Sequence, residues 1–144
     1  MVIQNLNIKV INPKCIPTIA YENDTGVDLY ANTDKLISIS QFSTIKVPLG
    51  IAVEIPNDYF GFILSRSGHA VKGITVETGT IDPGYRGELC AVITNNTNTP
   101  YHMQPYEKIA QLVLFPRTII KTFNFVDKLS ESERGEKGFG SSSK

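Results

Sequence analysis

The chain has 144 residues, its 14 lysines and arginines are balanced by 14 aspartates and glutamates, and 41% of its residues are hydrophobic. This length suits one domain, which would bury about 70% of the surface exposed by the unfolded chain without needing disulfides or structural metal. The zero formal net charge disfavours a broad basic surface, so we expect no nucleic-acid partner and only local binding of any anion.

Other functional classes are also disfavoured. No run of about 18 apolar residues occurs, and the first residues lack the order of a signal peptide, so we expect a cytoplasmic protein without a membrane partner. Cys15 and Cys90 are far apart, which predicts ordinary buried or half-buried thiols. His69 and His102 have no metal-ligand spacing to other side chains and are interpreted as surface or packing residues.

Apolar and polar residues alternate along much of the chain, which predicts strands. In chain order these strands are 6–10, 45–49, 51–55, 60–64, 89–94, 109–115 and 119–126, bounded by Gly, Pro, Asn or Asp. No window of ten residues keeps a helical period, so helix is confined to one or two turns after Ser67. The pattern therefore predicts an all-β barrel or sandwich.

The end of the chain has a different composition. Residues 130–144 are rich in Ser, Glu, Lys and Gly, and Phe139 is their one large apolar side chain. Such a segment cannot bury enough surface to offset its ordering entropy. We expect a β domain at residues 1–129 and a flexible C-terminal arm at 130–144.

Two short clusters are weak signals by themselves. In residues 24–29, Gly26 precedes Asp28 at an apparent bend into a strand, which turn chemistry alone explains. In residues 105–112, Gln111 interrupts an apolar strand and needs a partner, although a solvent-facing position would explain it almost as well.

Residues 65–70 place Arg66, Ser67 and Gly68 at the end of a predicted strand. A guanidinium beside backbone N–H groups suits a phosphate or another oxyanion. A serine that merely caps a turn is the structural alternative.

Residues 79–88 combine an Asp-Pro-Gly turn with Asp82, Tyr85 and several glycines. Asp82 could simply form the turn. The glycines would equally allow the backbone to approach a flat ligand closely.

Residues 134–143 bring one arginine, Arg134, and one aromatic residue, Phe139, into a glycine- and serine-rich tail. A disordered terminus is the plain interpretation. A phosphate-binding cap with an aromatic lid is the functional one.

Taken in order, the five clusters resemble the five motifs of the trimeric dUTPases, the deoxyuridine triphosphate nucleotidohydrolases, over residues 24–142. The resemblance implies a jelly-roll-like β-barrel and a homotrimer with shared active sites. It further implies that the arm closes over the site of a neighbouring subunit.

The resemblance also implies roles for individual residues. Asp82 would be the general base that activates the attacking water, and Tyr85 would pack under deoxyribose and exclude a 2′-hydroxyl. Uracil would be recognised largely by main-chain groups. The substrate-binding residues would be Arg66, Ser67, Gly68, Val76, Gly79, Thr80, Ile81, Asp82, Tyr85, Gly87, Gln111, Arg134, Phe139, Gly140 and Ser141.

Mg²⁺ is the implied cofactor. Asp28 and Gln111 would contact it through water while the triphosphate holds the ion, as suits a hard, hydrated cation. Val76 is a departure, since many bacterial members have Asn at this position. Recognition there would have to use the backbone.

The implied reaction is hydrolysis of dUTP to dUMP and pyrophosphate, which keeps uracil out of DNA and supplies the thymidylate precursor. Two alternatives remain open from the sequence. One is a dCTP deaminase, which shares the fold, and the other is a trimeric module that acts mainly by binding a protein partner.

Overall fold

The computed structural model describes residue 3 and residues 5–140, and these are organised almost wholly as short strands. The α-helix in this part of the chain, α1, is the single turn Ser67–Ala70, and a 3-10 turn covers Pro13–Cys15. The all-β class and the short helix after residue 66 are thus confirmed. The described strands are Asn7–Val10 (β1), Val27–Tyr30 (β2), Ile37–Ile39 (β3), Thr44–Pro48 (β4), Ile51–Glu54 (β5), Tyr59–Ser65 (β6), Ile74–Val76 (β7), Gly79–Ile81 (β8), Cys90–Asn95 (β9), Tyr101–Met103 (β10) and Lys108–Pro116 (β11).

The strands form four antiparallel sheets around one apolar core. The largest sheet has the order β2-β11-β6-β8, the next has the order β4-β9-β7, and β1-β5 and β10-β3 form two pairs. Residues of these strands that point inward form the core, and the side chains of Leu29, Ile39, Ile51, Ile93 and Met103 are buried completely. The resulting fold is of the jelly-roll type.

The register of the largest sheet brings distant parts of the sequence side by side. On β11, Gln111 pairs with Asp28 of β2 on one side and with Leu64 of β6 on the other. Strand β6 then ends at Ser65, directly before Arg66 and α1. The first, second and fourth sequence clusters therefore meet at one end of this sheet.

The strand prediction for residues 119–126 is wrong. Strand β11 ends at Pro116, and residues 117–140 contain no strand or helix. The apolar side chains of Ile120, Phe123 and Phe125 are exposed rather than packed on the core. Because a strand needs a neighbour for its backbone hydrogen bonds, apolar composition alone does not create one. The segment without strand or helix thus begins at residue 117, before the arm predicted at 130–144.

Neither α1 nor any other helix in the described part of the chain is long and apolar enough to cross a membrane. Both thiols are as predicted, with Cys15 buried and Cys90 half-buried, and neither is in a disulfide.

Candidate active site

A polar cavity of about 530 Å³ lies where β2, β11 and β6 end together. Five of the predicted site residues line it: Asp28, Arg66, Ser67, Gly68 and Gln111. The remaining lining residues come from the loop that precedes β2, namely Ala20, Asp24, Thr25 and Gly26. The fold therefore assembles three clusters that are up to 87 positions apart in the sequence, from Asp24 to Gln111, into one site.

Asp28 anchors two cations at the edge of this cavity. Arg66 donates from Nε to Asp28 Oδ1 at 3.0 Å, and Lys108 Nζ lies 3.0 Å from Asp28 Oδ2. Asp28 is only 9% exposed, and a carboxylate so nearly buried requires partners of this kind. The single positive charge left by these three side chains is balanced by the Asp24 carboxylate in the same lining. An anionic ligand would therefore depend on the Arg66 guanidinium and on backbone N–H groups.

Lys108 is a contributor that sequence reasoning missed. Its hydrogen bond to Asp28 raises the pKa of the Lys108 amine above its ordinary value. Its backbone carbonyl also accepts from Arg66 Nη1 at 3.2 Å. A lysine at the start of an apolar strand carries no signal in the sequence, since its role depends on contacts 42 and 80 residues away.

Gln111 has the partner that its position within an apolar strand required. Its Nε2 donates to the carbonyl of Ser65 at 2.9 Å, which ties β11 to the end of β6. Its Oε1 lies against Gly26, where an added Cβ would come within 2.0 Å. Gly26 therefore lets the loop before β2 approach the Gln111 side chain closely at the cavity wall.

We expect Gly26→Ala to displace the Gln111 carboxamide and break its bond to Ser65. The lost hydrogen bond should lower the free energy of unfolding by about 1 kcal/mol and distort the cavity wall. Urea denaturation measures this change. Gly84→Ala is the matched control, because a Cβ there meets nothing within 4 Å, and equal stability losses in both variants would contradict the assignment.

Ser67 and Gly68 begin α1 and are exposed at the cavity. The first N–H groups of a helix have no intrahelical acceptor. Together with the Arg66 guanidinium, these donors can bind phosphate oxygens.

Behind the cavity, His69 contacts Glu107, which lies 38 residues further along the chain. The nitrogen Nε2 of His69 is 2.9 Å from Glu107 Oε1, and Glu107 also accepts hydrogen bonds from the Tyr101 hydroxyl and the Gln104 backbone N–H. Burial opposes ionisation of Glu107, but the hydrogen bonds outweigh it and lower the pKa of this carboxyl. The sequence interpretation of His69 as an ordinary surface or packing residue omitted this contact.

The lowered pKa of Glu107 predicts a pH dependence of stability. The carboxylate stabilises the fold fully above its ordinary pKa near 4.5, and the contribution disappears as the pH falls through the folded-state pKa. We expect Glu107→Gln to be less stable than the wild type at about pH 5, and the difference should shrink at about pH 3. Urea titrations at both pH values test this, and a constant difference would contradict it.

The third cluster forms the edge strand β8 of the same sheet and the turn that follows it, a segment called the Asp82 hairpin below. Gly79, Thr80 and Ile81 form β8, and Tyr85 N donates to the carbonyl of Asp82 at 3.0 Å across the turn. The Tyr85 ring covers Gly87, where a Cβ would collide with it, and its hydroxyl donates to the carbonyl of Glu88 at 3.1 Å. The hairpin thus presents an exposed carboxylate and an ordered aromatic ring.

Asp82 does not lie at the cavity of its own chain. Ile81 pairs with Gly61, four positions before Ser65 on β6, and strand geometry places these two points on β6 about 14 Å apart. The hairpin turn continues away from Arg66. Within one chain, the polar cavity beside Arg66, called the phosphate-type cavity below, and the Asp82 hairpin therefore lie at separate places.

Val76 is also set apart from the cavity lining. Its side chain belongs to the core cluster, and its backbone N–H donates to Ser65 Oγ at 2.7 Å. This N–H is therefore occupied within the protein rather than open to a ligand.

The predicted arm residues lie in the exposed segment that follows β11. Arg134 donates from Nε to the carbonyl of Lys137 at 3.0 Å, the side chain of Phe139 is fully exposed, and Gly140 has a φ of +78°. Ser141 lies outside the described residues. Neither Arg134 nor Phe139 contributes to the cavity lining.

A metal at this site would meet oxygen ligands. Residues 3 and 5–140 contain no cluster of three His, Cys, Asp or Glu side chains that could hold an ion by themselves. The cavity does offer the Asp28 carboxylate and the Gln111 carboxamide, which fit a hydrated Mg²⁺ contacted through water better than a soft transition metal.

The dUTPase family model matches residues 12–143. The chain belongs to the dUTPase family. It is therefore an enzyme of the dUTP diphosphatase class, and its all-β fold and phosphate-type cavity agree with this membership.

Individual relatives support the same assignment. The deoxyuridine 5′-triphosphate nucleotidohydrolase of Clostridium tetani is 40% identical over 96% of this chain and 97% of its own. The enzyme of the same name from Paraburkholderia phymatum is 38% identical over 96% and 98%. A structure of the Staphylococcus bacteriophage 80alpha dUTPase G164S mutant with dUpNHpp has a TM-score of 0.85 and 28% identity, covering 97% of this chain and 99% of that one.

Proposed function

We propose that this dUTPase-family enzyme hydrolyses dUTP to dUMP and pyrophosphate by attack of water on the α-phosphorus. The observation that carries the proposal is the cavity where Arg66, Ser67 and Gly68 meet Asp28 and Gln111. Such a site offers a guanidinium and backbone N–H donors to a triphosphate. The related phage enzyme with bound dUpNHpp supports dUTP as the substrate.

In this mechanism Asp82 takes a proton from water as the water oxygen forms a bond to the α-phosphorus. The bond between the α-phosphorus and the oxygen bridging to the β-phosphorus breaks, and pyrophosphate leaves. Arg66 and the α1 N–H groups stabilise the charge that develops on the phosphate oxygens. Asp82 is exposed on its hairpin, which suits a base that must reach a substrate held elsewhere.

The active site is shared between chains in this proposal. Because Asp82 and the cavity of the same chain are separated along β6, the hairpin of one subunit would face the cavity of another. A homotrimer with cyclic symmetry repeats this contact three times. The C-terminal arm, with Arg134 at the terminal phosphate and Phe139 covering uracil, would close each site from a neighbouring subunit.

Mg²⁺ is the proposed cofactor, and Asp28 and Gln111 would hold its water ligands. When bound by the triphosphate, the ion neutralises phosphate charge and orients the chain of phosphates. Asp28 retains Arg66 and Lys108 as partners, so it contributes through the hydration shell. The product dUMP would serve thymidylate synthesis, and removal of dUTP would keep uracil out of DNA.

The test is release of pyrophosphate from dUTP, dTTP, dCTP and UTP measured side by side with Mg²⁺. We expect rapid release from dUTP alone, because a site with polar groups matched to one base rejects mispaired analogues strongly. Ammonia release from dCTP would replace the proposal with a deaminase. If none of the four nucleotides gave a product, the remaining explanation would be a module that acts by binding a protein partner.

We expect Tyr85→Ala to relax discrimination against ribose. The Tyr85 ring, ordered against Gly87, would form the wall that a 2′-hydroxyl meets, and its removal should raise UTP hydrolysis relative to dUTP hydrolysis. Tyr85→Phe is the matched control, since it keeps the ring and loses only the bond to Glu88. An unchanged ratio of kcat/KM values in folded Tyr85→Ala would assign sugar selection to another residue.

A further inference from the structure

The helix α1 brings Ser67 and Gly68 to the phosphate-type cavity but has few contacts of its own. Ser67, Gly68 and Ala70 are exposed, and His69 is the half-buried residue of the turn. Arg66, at the N-cap, makes no side-chain capping hydrogen bond. Because one helical turn is unstable in isolation, its placement depends on tertiary contacts.

His69 supplies such a contact. Its side chain is 13% exposed, its Nε2 is 2.9 Å from Glu107 Oε1, and its ring meets the edge of Tyr101 at a centroid distance of 6.2 Å. Glu107 is itself fixed, because its carboxylate accepts from Tyr101 and Gln104 and its carbonyl accepts from Ala31 N at 2.8 Å. The imidazole therefore binds to a rigid point.

The protonation pattern of the ring is set by this partner. An acceptor carboxylate at Nε2 requires the proton on Nε2. Nδ1 is buried and has no partner among the described residues, so in this tautomer it exposes only an unused lone pair to the interior. An apolar side chain at position 69 would leave no unpaired buried nitrogen. The contribution that the imidazole makes instead is its hydrogen bond to Glu107.

Residues 107 and 108, where β11 begins, thus hold both ends of the segment from Arg66 to His69. His69 binds the Glu107 side chain, and Arg66 Nη1 binds the carbonyl of the next residue, Lys108. Ser67 and Gly68 lie between these two attachments. Loss of either attachment would free the two residues that face the cavity.

We propose that His69 is a positioning residue whose hydrogen bond to Glu107 anchors α1 and holds Ser67 and Gly68 for triphosphate binding. The identity of the ligand rests on the proposed function, whereas the anchoring of α1 does not. His69 acts through α1 and need not touch the substrate.

The test compares His69→Leu, which removes the donor, with His69→Gln, which keeps an N–H donor. His102→Gln changes the other histidine, which is exposed on β10, and is the control. Amide hydrogen exchange in the nucleotide-free enzyme follows the bonds Ala70 N to Arg66 O and Val71 N to Ser67 O. Steady-state kinetics with dUTP and Mg²⁺ give KM and kcat separately.

In His69→Leu we expect exchange at Ala70 and Val71 to be about tenfold faster and KM for dUTP to rise about tenfold, while kcat changes less than threefold. His69→Gln should recover most of both effects. Amides of β4, remote from α1, should exchange as in the wild type, which distinguishes local release from global destabilisation.

The proposal would be overturned if, in His69→Leu, the amide exchange rates of Ala70 and Val71 and the KM for dUTP stayed within twofold of their wild-type values. Equal losses in the leucine and glutamine variants would also overturn it, since the bond would then be irrelevant. If His69→Leu does not fold, His69→Met makes the same test, because it also removes the donor and leaves the Glu107 bonds to Tyr101 and Gln104 in place. A wild-type enzyme inactive on dUTP would remove the proposed function, while the exchange data would still decide the anchoring.

Discussion

Replacing Asp82 by asparagine should reduce turnover of dUTP by about 10²-fold or more, the usual effect of removing a general base. The Asp82 side chain is exposed on its hairpin, and in the described part of the chain its carboxylate accepts no protein hydrogen bond, whereas its backbone carbonyl accepts from Tyr85 N. The substitution therefore removes no internal contact. Stability and binding of the dUTP analogue dUpNHpp should remain close to wild type, so the loss should appear in kcat.

Stopped-flow or quenched assays at saturating dUTP measure this effect, and isothermal titration with dUpNHpp measures binding. Asp34→Asn is the matched control, because Asp34 is another exposed carboxylate outside the candidate site. Turnover within twofold of wild type in Asp82→Asn would remove Asp82 from the mechanism. A similar loss of turnover in Asp34→Asn would indicate that removal of any exposed negative charge lowers turnover.

Mixing two inactive variants should restore activity. One variant carries Asp82→Asn and the other carries Arg66→Ala, and each alone should be nearly inactive. Lys108 still pairs with Asp28 when Arg66 is removed, so the second variant should fold. If the hairpin of one subunit serves the cavity of another, some sites in a mixed ring contain two intact parts.

The expected recovery follows from the closed cyclic symmetry of the proposed homotrimer. Random assembly at equal amounts makes about three quarters of trimers mixed, and one site in three of each mixed ring pairs an intact base with an intact cavity. Recovery should therefore be about one quarter of wild-type activity. Refolding Asp82→Asn with the Asp82→Asn/Arg66→Ala double variant is the control, since no ring then has a base. Near-zero recovery in verified mixed trimers would mean that both parts act within one chain.

Most strands of the core could be predicted because each carries either an alternation of apolar and polar residues or a short apolar run bounded by turn residues. Six predicted strands, from 6–10 to 109–115, correspond to β1, β4, β5, β6, β9 and β11. The strands β3, β7, β8 and β10 have only three residues each, too few for a period to be recognised. Residues 119–126 gave a false strand because their apolar side chains are exposed and, in the described part of the chain, no strand pairs with them.

The sequence predicted which residues form the candidate site, but it did not predict the contacts that hold them in place. Arg66, Ser67, Gly68, Asp28 and Gln111 were selected from five clusters in family order, and the sheet register does bring them to one cavity. The roles of Lys108 and His69 were not predictable, since they come from contacts with Asp28 and Glu107 far along the chain. The separation of Asp82 from the cavity became visible only with the pairing of β6 and β8.

Isotope labelling tests the central claim, attack of water on the α-phosphorus, most directly. Hydrolysis of dUTP in ¹⁸O-enriched water, limited to a single turnover, marks the phosphorus that water attacks, and mass spectrometry of both products locates the label. The mechanism assigned to Asp82 predicts one ¹⁸O atom in the phosphate of dUMP and none in pyrophosphate. Label in pyrophosphate would show attack on the β-phosphorus and contradict the mechanism.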